Sequence, residues 1–169
     1  AGVLFGDVNP SGKLPFSWPR ATGDVVHYDR TPSEELTPDS SAGGYHPEWP
    51  FGHGLSYTTF SYGDLRLDRK DAGQGDTVTV SVTVANTGAR AGKEVVQLYV
   101  RDLYASVEPS MQRLRDFRKV ALNAGERRTV TFRLPVRRLA FVGRDDKLVV
   151  EPGDFDVMVG GLTQRLTVR

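Results

Sequence analysis

Between Thr77 and Asn86 the chain places Val78, Val80, Val82 and Val84 at every second position, with Thr77, Thr79, Ser81 and Thr83 between them. Strand side chains alternate faces with a period of two, so this spacing predicts an antiparallel strand with one face buried. A strand of that kind needs a second layer to cover its valines. The chain after Thr58 supplies one. Thr59–Leu67 reads as a first strand. Glu94–Asp102 puts Val96, Leu98 and Val100 on one face and Val95 and Tyr99 on the other. Arg115–Leu122, Arg128–Leu134, Lys147–Val150, Phe155–Val159 and Leu162–Val168 follow. Turn sequences separate them: Asn86-Thr87-Gly88, Asn123-Ala124-Gly125-Glu126, Glu151-Pro152-Gly153 and Gly160-Gly161. About seven short strands with regular turn signals predict a mainly β fold, an immunoglobulin-like antiparallel β-sandwich. One buried face per strand gives roughly 15–20 core side chains, each contributing about 1.5–3 kcal/mol on burial.

Residues 1–54 have a different character, rich in Pro, Gly, Ser and aromatics, with little periodicity and no comparable core. Ala1–Phe5 is an apolar stub that stops at Gly6, as a helix end does. Isolated helices need about 12–15 residues, so the stub reads as the last turn of a helix whose body lies elsewhere. Gly6–Lys13 reads as a turn, because Pro10 removes a backbone donor a phosphate loop would use. Leu14–Trp18 reads as a short strand interrupted by Pro15, and Thr31–Gly44 as a loop.

Composition removes several function classes. Lys and Arg total 22 of 169 residues against 21 Asp and Glu, a net charge of +1. A nucleic-acid binder shows a basic excess or a basic face. The nearest feature is Arg113, Arg115, Arg118, Lys119, Arg127 and Arg128, interleaved with Asp116 and Glu126, which reads as a solvated strand face. No apolar run approaches the roughly 20 residues of a membrane span, and the N-terminus lacks a signal-peptide layout. With no cysteine there are no disulfides and no Cys-based zinc sites. Secreted, periplasmic and cytoplasmic locations all fit such a chain.

Three segments resemble glycoside hydrolase family 3, the family of β-glucosidases, β-xylosidases and related exo-acting enzymes. Leu4-Phe5-Gly6-Asp7-Val8-Asn9-Pro10-Ser11-Gly12-Lys13-Leu14-Pro15-Phe16-Ser17-Trp18-Pro19 resembles the close of its α/β-sandwich domain, with Val25-Val26-His27-Tyr28 similar to a strand-like stretch that follows. Pro50-Phe51-Gly52-His53-Gly54-Leu55-Ser56-Tyr57-Thr58-Thr59-Phe60 resembles the signature leading into its C-terminal domain. Val84–Gly88, Gly92–Val100, Leu114–Val120 and Pro152–Phe155 are similar to its fibronectin type III-like domain. The resemblance implies three parts: residues 1–30 as the C-terminal remnant of the α/β-sandwich domain, 31–56 as linker and domain crossing, and 57–169 as the fibronectin type III-like β-sandwich. It places the nucleophilic Asp in an N-terminal barrel and the acid/base Glu upstream of Leu4–Pro19, so this chain holds neither and is expected to be inactive alone. Its partners are then the barrel and α/β-sandwich domains of the parent, whose substrate is a carbohydrate. A retaining parent holds its two carboxylates about 5–5.5 Å apart. No cofactor is implied.

Several residues invite a site reading. Asp24, His27, Asp29, His46, Glu48 and His53 tempt a catalytic or metal assignment, but zinc takes three or four convergent ligands and no such spacing occurs. Asp102 and Glu108, flanking Tyr104, read as solvated loop carboxylates. Tyr45, Trp49, Phe51 and His53 carry two readings. Sugars stack on aromatic faces, which makes them a substrate rim; alternatively Trp49 and Phe51 pack the sandwich on its neighbour. Pro50, Gly52 and Gly54 suit a sharp domain crossing and favour packing. Two other functions share the sandwich: a freestanding immunoglobulin-like module that binds polysaccharide or a cell surface, and a natural small subunit of a split glycosidase. Residues 1–54 separate them, since a freestanding module has no use for another domain's edge.

Overall fold

The computed structural model describes residues 1–35 and 45–169. Ten strands form after one helical turn, α1 (Pro32–Glu35): β1 (Phe60–Leu67), β2 (Asp71–Ala72), β3 (Thr77–Asn86), β4 (Gly92–Asp102), β5 (Arg113–Leu122), β6 (Arg127–Pro135), β7 (Phe141–Val142), β8 (Leu148–Val149), β9 (Gly153–Val159) and β10 (Leu162–Val168). A 3₁₀ turn, Val136–Leu139, follows β6. A three-stranded sheet in the order β1-β3-β6 faces a five-stranded sheet in the order β2-β10-β9-β4-β5, and β7-β8 is a separate ribbon.

The valine alternation places β3 as expected. Val78, Val80, Val82 and Val84 are fully buried at the centre of the three-stranded sheet, opposite Leu134, Phe132, Val130 and Arg128 of β6. The facing layer is Val96, Leu98 and Val100 of β4, Phe155, Val157 and Val159 of β9, and Leu166 and Val168 of β10. Every buried hydrophobic residue among those described lies at or beyond Leu65. The sandwich thus holds the core.

Sequence periodicity misses the short elements. Asp71–Ala72 pairs in parallel with β10 at Thr167 and Val168. The chain leaves the three-stranded sheet after β1 and at once caps an edge of the other, which shields a strand edge that would otherwise template aggregation. Lys147–Val150 forms only the two-residue β8, paired with β7. Leu14–Trp18 contributes a single bridge, Trp18 to Trp49, because prolines interrupt both segments. The Val25–Tyr28 stretch forms no strand, and Val25 is largely exposed. The expected loop Thr31–Gly44 instead contains α1 near its start, where Thr31, just before the turn, donates its amide and hydroxyl to the Glu34 carboxylate; positions 36–44 lie outside the described residues.

The basic run is only partly the expected solvated face. Arg118, Lys119, Arg127 and Arg128 are exposed. Arg113 is half-buried and pairs with Asp29 at 3.4 Å, and Arg115 is half-buried with its Nε out of contact with water. A register shift in β5 opposite Leu98 and Tyr99 changes the alternation there, which periodicity does not reveal.

Gly160 and Gly161 both take positive φ, 56° and 83°, in the two-residue hairpin between Val159 and Leu162, the backbone such a loop requires. Only at Gly160 does packing add a constraint, since a Cβ there would lie 2.2 Å from the Tyr62 ring, whereas at Gly161 it meets open space. Both alanine variants carry the φ penalty, so their difference isolates the clash. Gly160→Ala is expected to lower the urea midpoint well below Gly161→Ala, by the equivalent of about 1–3 kcal/mol for overpacking. Equal midpoints would show that Tyr62 moves aside freely.

Candidate functional site

The site-like aromatics sit on a clasp between two segments. The Leu14 amide donates to the His53 carbonyl at 2.8 Å and the Gly52 amide to the Leu14 carbonyl at 2.9 Å. Four residues on, the Trp18 amide donates to the Trp49 carbonyl at 2.7 Å and the Glu48 amide to the Trp18 carbonyl at 2.8 Å. The two pairs share one antiparallel register.

The clasp presents two surfaces. Outward, Trp49 stacks on His53 with ring centroids 4.5 Å apart, and Phe16 on Trp18 at 5.6 Å. Trp18, Trp49, His53, Leu14 and Leu55 line an open apolar hollow of about 590 Å³. Inward, Phe51 stacks on Tyr28 at 4.2 Å and meets the edge of Tyr99 on β4 at 6.5 Å. Tyr45 accepts the Arg30 guanidinium over its ring at 4.1 Å and shares a hydrogen bond with the buried Ser17 hydroxyl. Burial, and then the neighbouring Tyr28 and Tyr45, push the Tyr99 hydroxyl up to about 12. The four sequence candidates therefore divide: Tyr45 and Phe51 face the sandwich side, Trp49 and His53 the hollow.

Residues 1–57 are held by polar anchors, some within the segment and some to the sandwich. Asn9 accepts from the Ser56 hydroxyl at 2.9 Å and the Tyr57 amide at 2.8 Å, and donates to the Ala91 carbonyl at 3.2 Å. Tyr57 donates to the Val3 carbonyl at 2.7 Å, and Arg90 to that of Gly6. Ala1–Phe5 is one helical turn, with the Phe5 amide bonded to the Ala1 carbonyl and Gly6 closing it at φ 85°. The most buried anchor is Lys13, whose Nζ lies 3.2 Å from a carboxylate oxygen of Glu94. Glu94 is 8% exposed, on the core-facing side of β4, and also accepts from the Tyr62 hydroxyl at 2.8 Å. Burial chiefly, then the Glu94 charge and its hydrogen bond, hold the Tyr62 hydroxyl well above the ordinary tyrosine range. The signal for this anchor was available in the sequence, since Glu94 has the same parity as Val96, Leu98 and Val100.

The remaining candidates do not converge. Asp24 caps its own turn at the Ala21 amide, Asp29 pairs with Arg113, and Glu48 lies 3.7 Å from Arg20. His27 is exposed and His46 half-buried. Among the described residues no three His, Asp or Glu side chains group as metal ligands. Asp102 accepts from the Tyr104 amide at 3.2 Å, and Glu108 takes both the amide and hydroxyl of Ser33, at 2.9 and 3.0 Å. In residues 1–57 many of the large apolar side chains stay outside: Val3, Leu4, Phe5, Phe16, Trp18 and Leu55 are exposed, Leu4 to 85%.

Comparison with known proteins accounts for both halves. Residues 1–57 match the glycosyl hydrolase family 3 C-terminal domain, and residues 94–163 the fibronectin type III-like domain. A β-xylosidase of Formosa agariphila is 48% identical over 166 residues, which cover 95% of this chain and 22% of that protein. Thermostable β-glucosidase B of Acetivibrio thermocellus is 40% identical over 181 residues, covering 100% and 24%. Among solved structures, a β-glucosidase from Erythrobacter marinus superposes with a TM-score of 0.89 at 41% identity, covering all of this chain and 23% of that one. The β-glucosidase of Listeria innocua in complex with gluconolactone gives 0.89 at 35% identity, covering 99% and 25%. The chain thus spans about a quarter or less of the length of these relatives.

Two outcomes follow from the anchors. Lys13→Met leaves the Glu94 carboxylate without its cation, and breaking a fully buried pair costs about 3–5 kcal/mol. The side chains here keep 20% and 10% of their exposure, so a loss nearer about 2 kcal/mol is expected. Adding Glu94→Gln to Lys13→Met should recover part of it in denaturant titrations; an additive double variant would show no coupling. The Tyr99 proton is held more tightly folded than unfolded, so its contribution is intact below pH 10 and is lost as pH rises through about 12. Tyr99→Phe should flatten the fall in stability across that window.

Proposed function

We propose that the chain, which matches the C-terminal and fibronectin type III-like domains of glycoside hydrolase family 3, serves as the non-catalytic C-terminal portion of a retaining, exo-acting β-glycosidase. The activity proposed for the whole enzyme is that of the β-glucosidase class, hydrolysis of terminal β-D-glycosidic bonds, in keeping with the names of its relatives. The observation that carries this reading is the distribution of apolar surface. Residues 57–169 bury a complete core, whereas residues 1–57 are fastened to it by hydrogen bonds and leave Leu4, Phe5, Phe16, Trp18 and Leu55 uncovered. Monomeric proteins rarely leave a large apolar patch uncovered unless a partner covers it. The partner proposed is the barrel and α/β-sandwich polypeptide that carries the catalytic carboxylates.

In this reading residues 1–30 complete the α/β-sandwich domain, 31–56 make the crossing, and 57–169 are a rigid support. Tyr45 and Phe51 belong to the contact with the support. Trp49 and His53 belong to the contact with the catalytic domains rather than to a sugar subsite. A freestanding binding module would have no need of the clasp.

The 169-residue chain is expected to release no chromophore from aryl β-glucosides or β-xylosides, and to self-associate in sedimentation through its uncovered face. Replacing Trp18, Trp49 and Leu55 together with Ser should shift it towards monomer. Turnover that follows the protein through further purification overturns the non-catalytic assignment. Unchanged sedimentation on the triple replacement overturns the assignment of the face.

A further inference from the structure

Each edge strand of a β-sheet turns half of its backbone N–H and C=O groups away from its neighbour. Such a row pairs readily with a strand of another chain unless it is broken, charged or covered. The two facing sheets have four edge strands. β2 is only two residues long and lies along β10. β1 loses register between Gly63 and Arg66, where Asp64 takes φ 53°. β6 exposes Arg127, Arg128 and Arg133 and ends at Pro135. β5 is the fourth, ten residues from Arg113 to Leu122, with β4 on one side and no strand on the other among the described residues.

The middle of β5 is apolar as well as open. Phe117 is 59% exposed, and Val120 follows in the same strand. An exposed, unpaired strand of this kind is an aggregation hazard. Two charged side chains occupy its backbone. The Phe117 amide donates to Oδ1 of Asp116 at 2.8 Å, and the Arg115 carbonyl accepts from Nη1 of Arg138 at 3.3 Å. Neither partner lies on β4, so both groups belong to the outward row. Arg138 comes from the 3₁₀ turn that follows β6 of the opposite sheet, and is exposed. An incoming strand needs the Phe117 amide and the Arg115 carbonyl for its own ladder, and must displace an anion and a cation to reach them. Arg118 and Lys119, both exposed, carry charge along the next stretch of the edge.

We propose that Asp116 and Arg138 close the free edge of β5 to strand addition, and that the strand they exclude is β5 of a second copy of this chain. The second copy brings the same open row and the same exposed ring. Two β5 strands running antiparallel about Phe117 satisfy each other's outward groups and set Phe117 against Phe117, a favourable cross-strand pair. The same register sets Arg115 against Lys119, a like-charge pair that assists the two guards. The inference stands on the sheet edge alone and is independent of the association expected at the Trp18–Trp49 face.

The test is amide hydrogen exchange of the full chain at low and high protein concentration, with sedimentation alongside. The probes are the amides of Phe117 and of Lys119, which lies two residues on and points the same way. In the parent chain their exchange is expected not to depend on concentration, even where the Trp18–Trp49 face associates. With Asp116→Ala and Arg138→Ala combined, both amides should slow by about tenfold or more as concentration rises, and sedimentation should show a larger species than the parent. Phe117→Pro added to that pair removes the outward amide without touching the β4 ladder, and should return Lys119 to its parental rate. Concentration-independent exchange in the double variant overturns the proposal. So does slowing that survives Phe117→Pro, since another contact would then cause it. Slowing in the parent itself reveals an edge already open and equally overturns it. Should the double variant unfold at lower urea than the parent, Arg138→Ala alone is read by the same criteria, because that side chain is exposed.

Discussion

A carboxylate on the inside of a β-sandwich must be matched. Glu94 occupies a core-facing position of β4, in line with Val96, Leu98 and Val100. Desolvating an ionised carboxylate costs several kcal/mol unless charge and hydrogen bonds compensate. Both compensating groups come from elsewhere in the chain. Tyr62 reaches across from β1 in the opposite sheet, and Lys13 reaches in from the first segment. One oxygen of Glu94 thereby joins three parts of the molecule. Tyr62 can lie there only because Gly160 has no side chain. Lys13 in turn runs alongside Gly54, where a Cβ would come within 2.8 Å of the lysine stem and 2.3 Å of the Gly12 carbonyl.

A second buried polar group works alongside the first. Asn86 ends β3 and is 1% exposed. Its amide nitrogen donates to the Arg90 carbonyl at 2.7 Å and the Leu122 carbonyl at 3.2 Å. Its oxygen accepts from the Thr58 hydroxyl at 2.7 Å and the Gly88 amide at 3.1 Å. Every hydrogen-bonding position of the side chain is thus used. Two turns and the chain entering β1 converge on one amide, and the Glu126 carbonyl takes its backbone NH. A fully satisfied buried network of this kind specifies a single arrangement of the loops around it. Position 86 therefore does more than turn the chain.

How much of this could be read in advance depends on whether a feature is local. The valine stripe fixed β3 to the residue, and the two-glycine hairpin fixed the start of β10, because period and turn chemistry are properties of neighbouring residues. β2, β7 and β8 are two residues each and exist through distant partners, so no window of sequence contains their cause. The misread arginines have the same origin. Arg113 and Arg115 sit in a charged run that resembles a solvated face, but the bulge in β5 and the approach of Asp29 from the first segment partly bury them. Glu94 was legible by parity, and its partners were not. Of the aromatic group, tertiary packing assigned each residue to its side, which no local pattern shows.

That assignment has a simple backbone cause. In a regular strand Trp49, Phe51 and His53 would point the same way. Here the His53 amide donates to the Pro50 carbonyl at 3.0 Å, closing a tight turn, and Gly52 stands at φ 83° in its third position. Only glycine takes that place without strain in a turn of this type. Its lack of a side chain has a second use, because a Cβ would fall 2.6 Å from the Tyr99 hydroxyl and 2.9 Å from Gln97. The turn swings Phe51 towards the sandwich, where Tyr28 and Tyr99 receive it, and leaves Trp49 and His53 stacked on the other side. One glycine thus lets a single short segment hold the sandwich with one aromatic ring and offer others outward, so that whatever meets the Trp18–Trp49 face is positioned relative to β4 by a rigid turn.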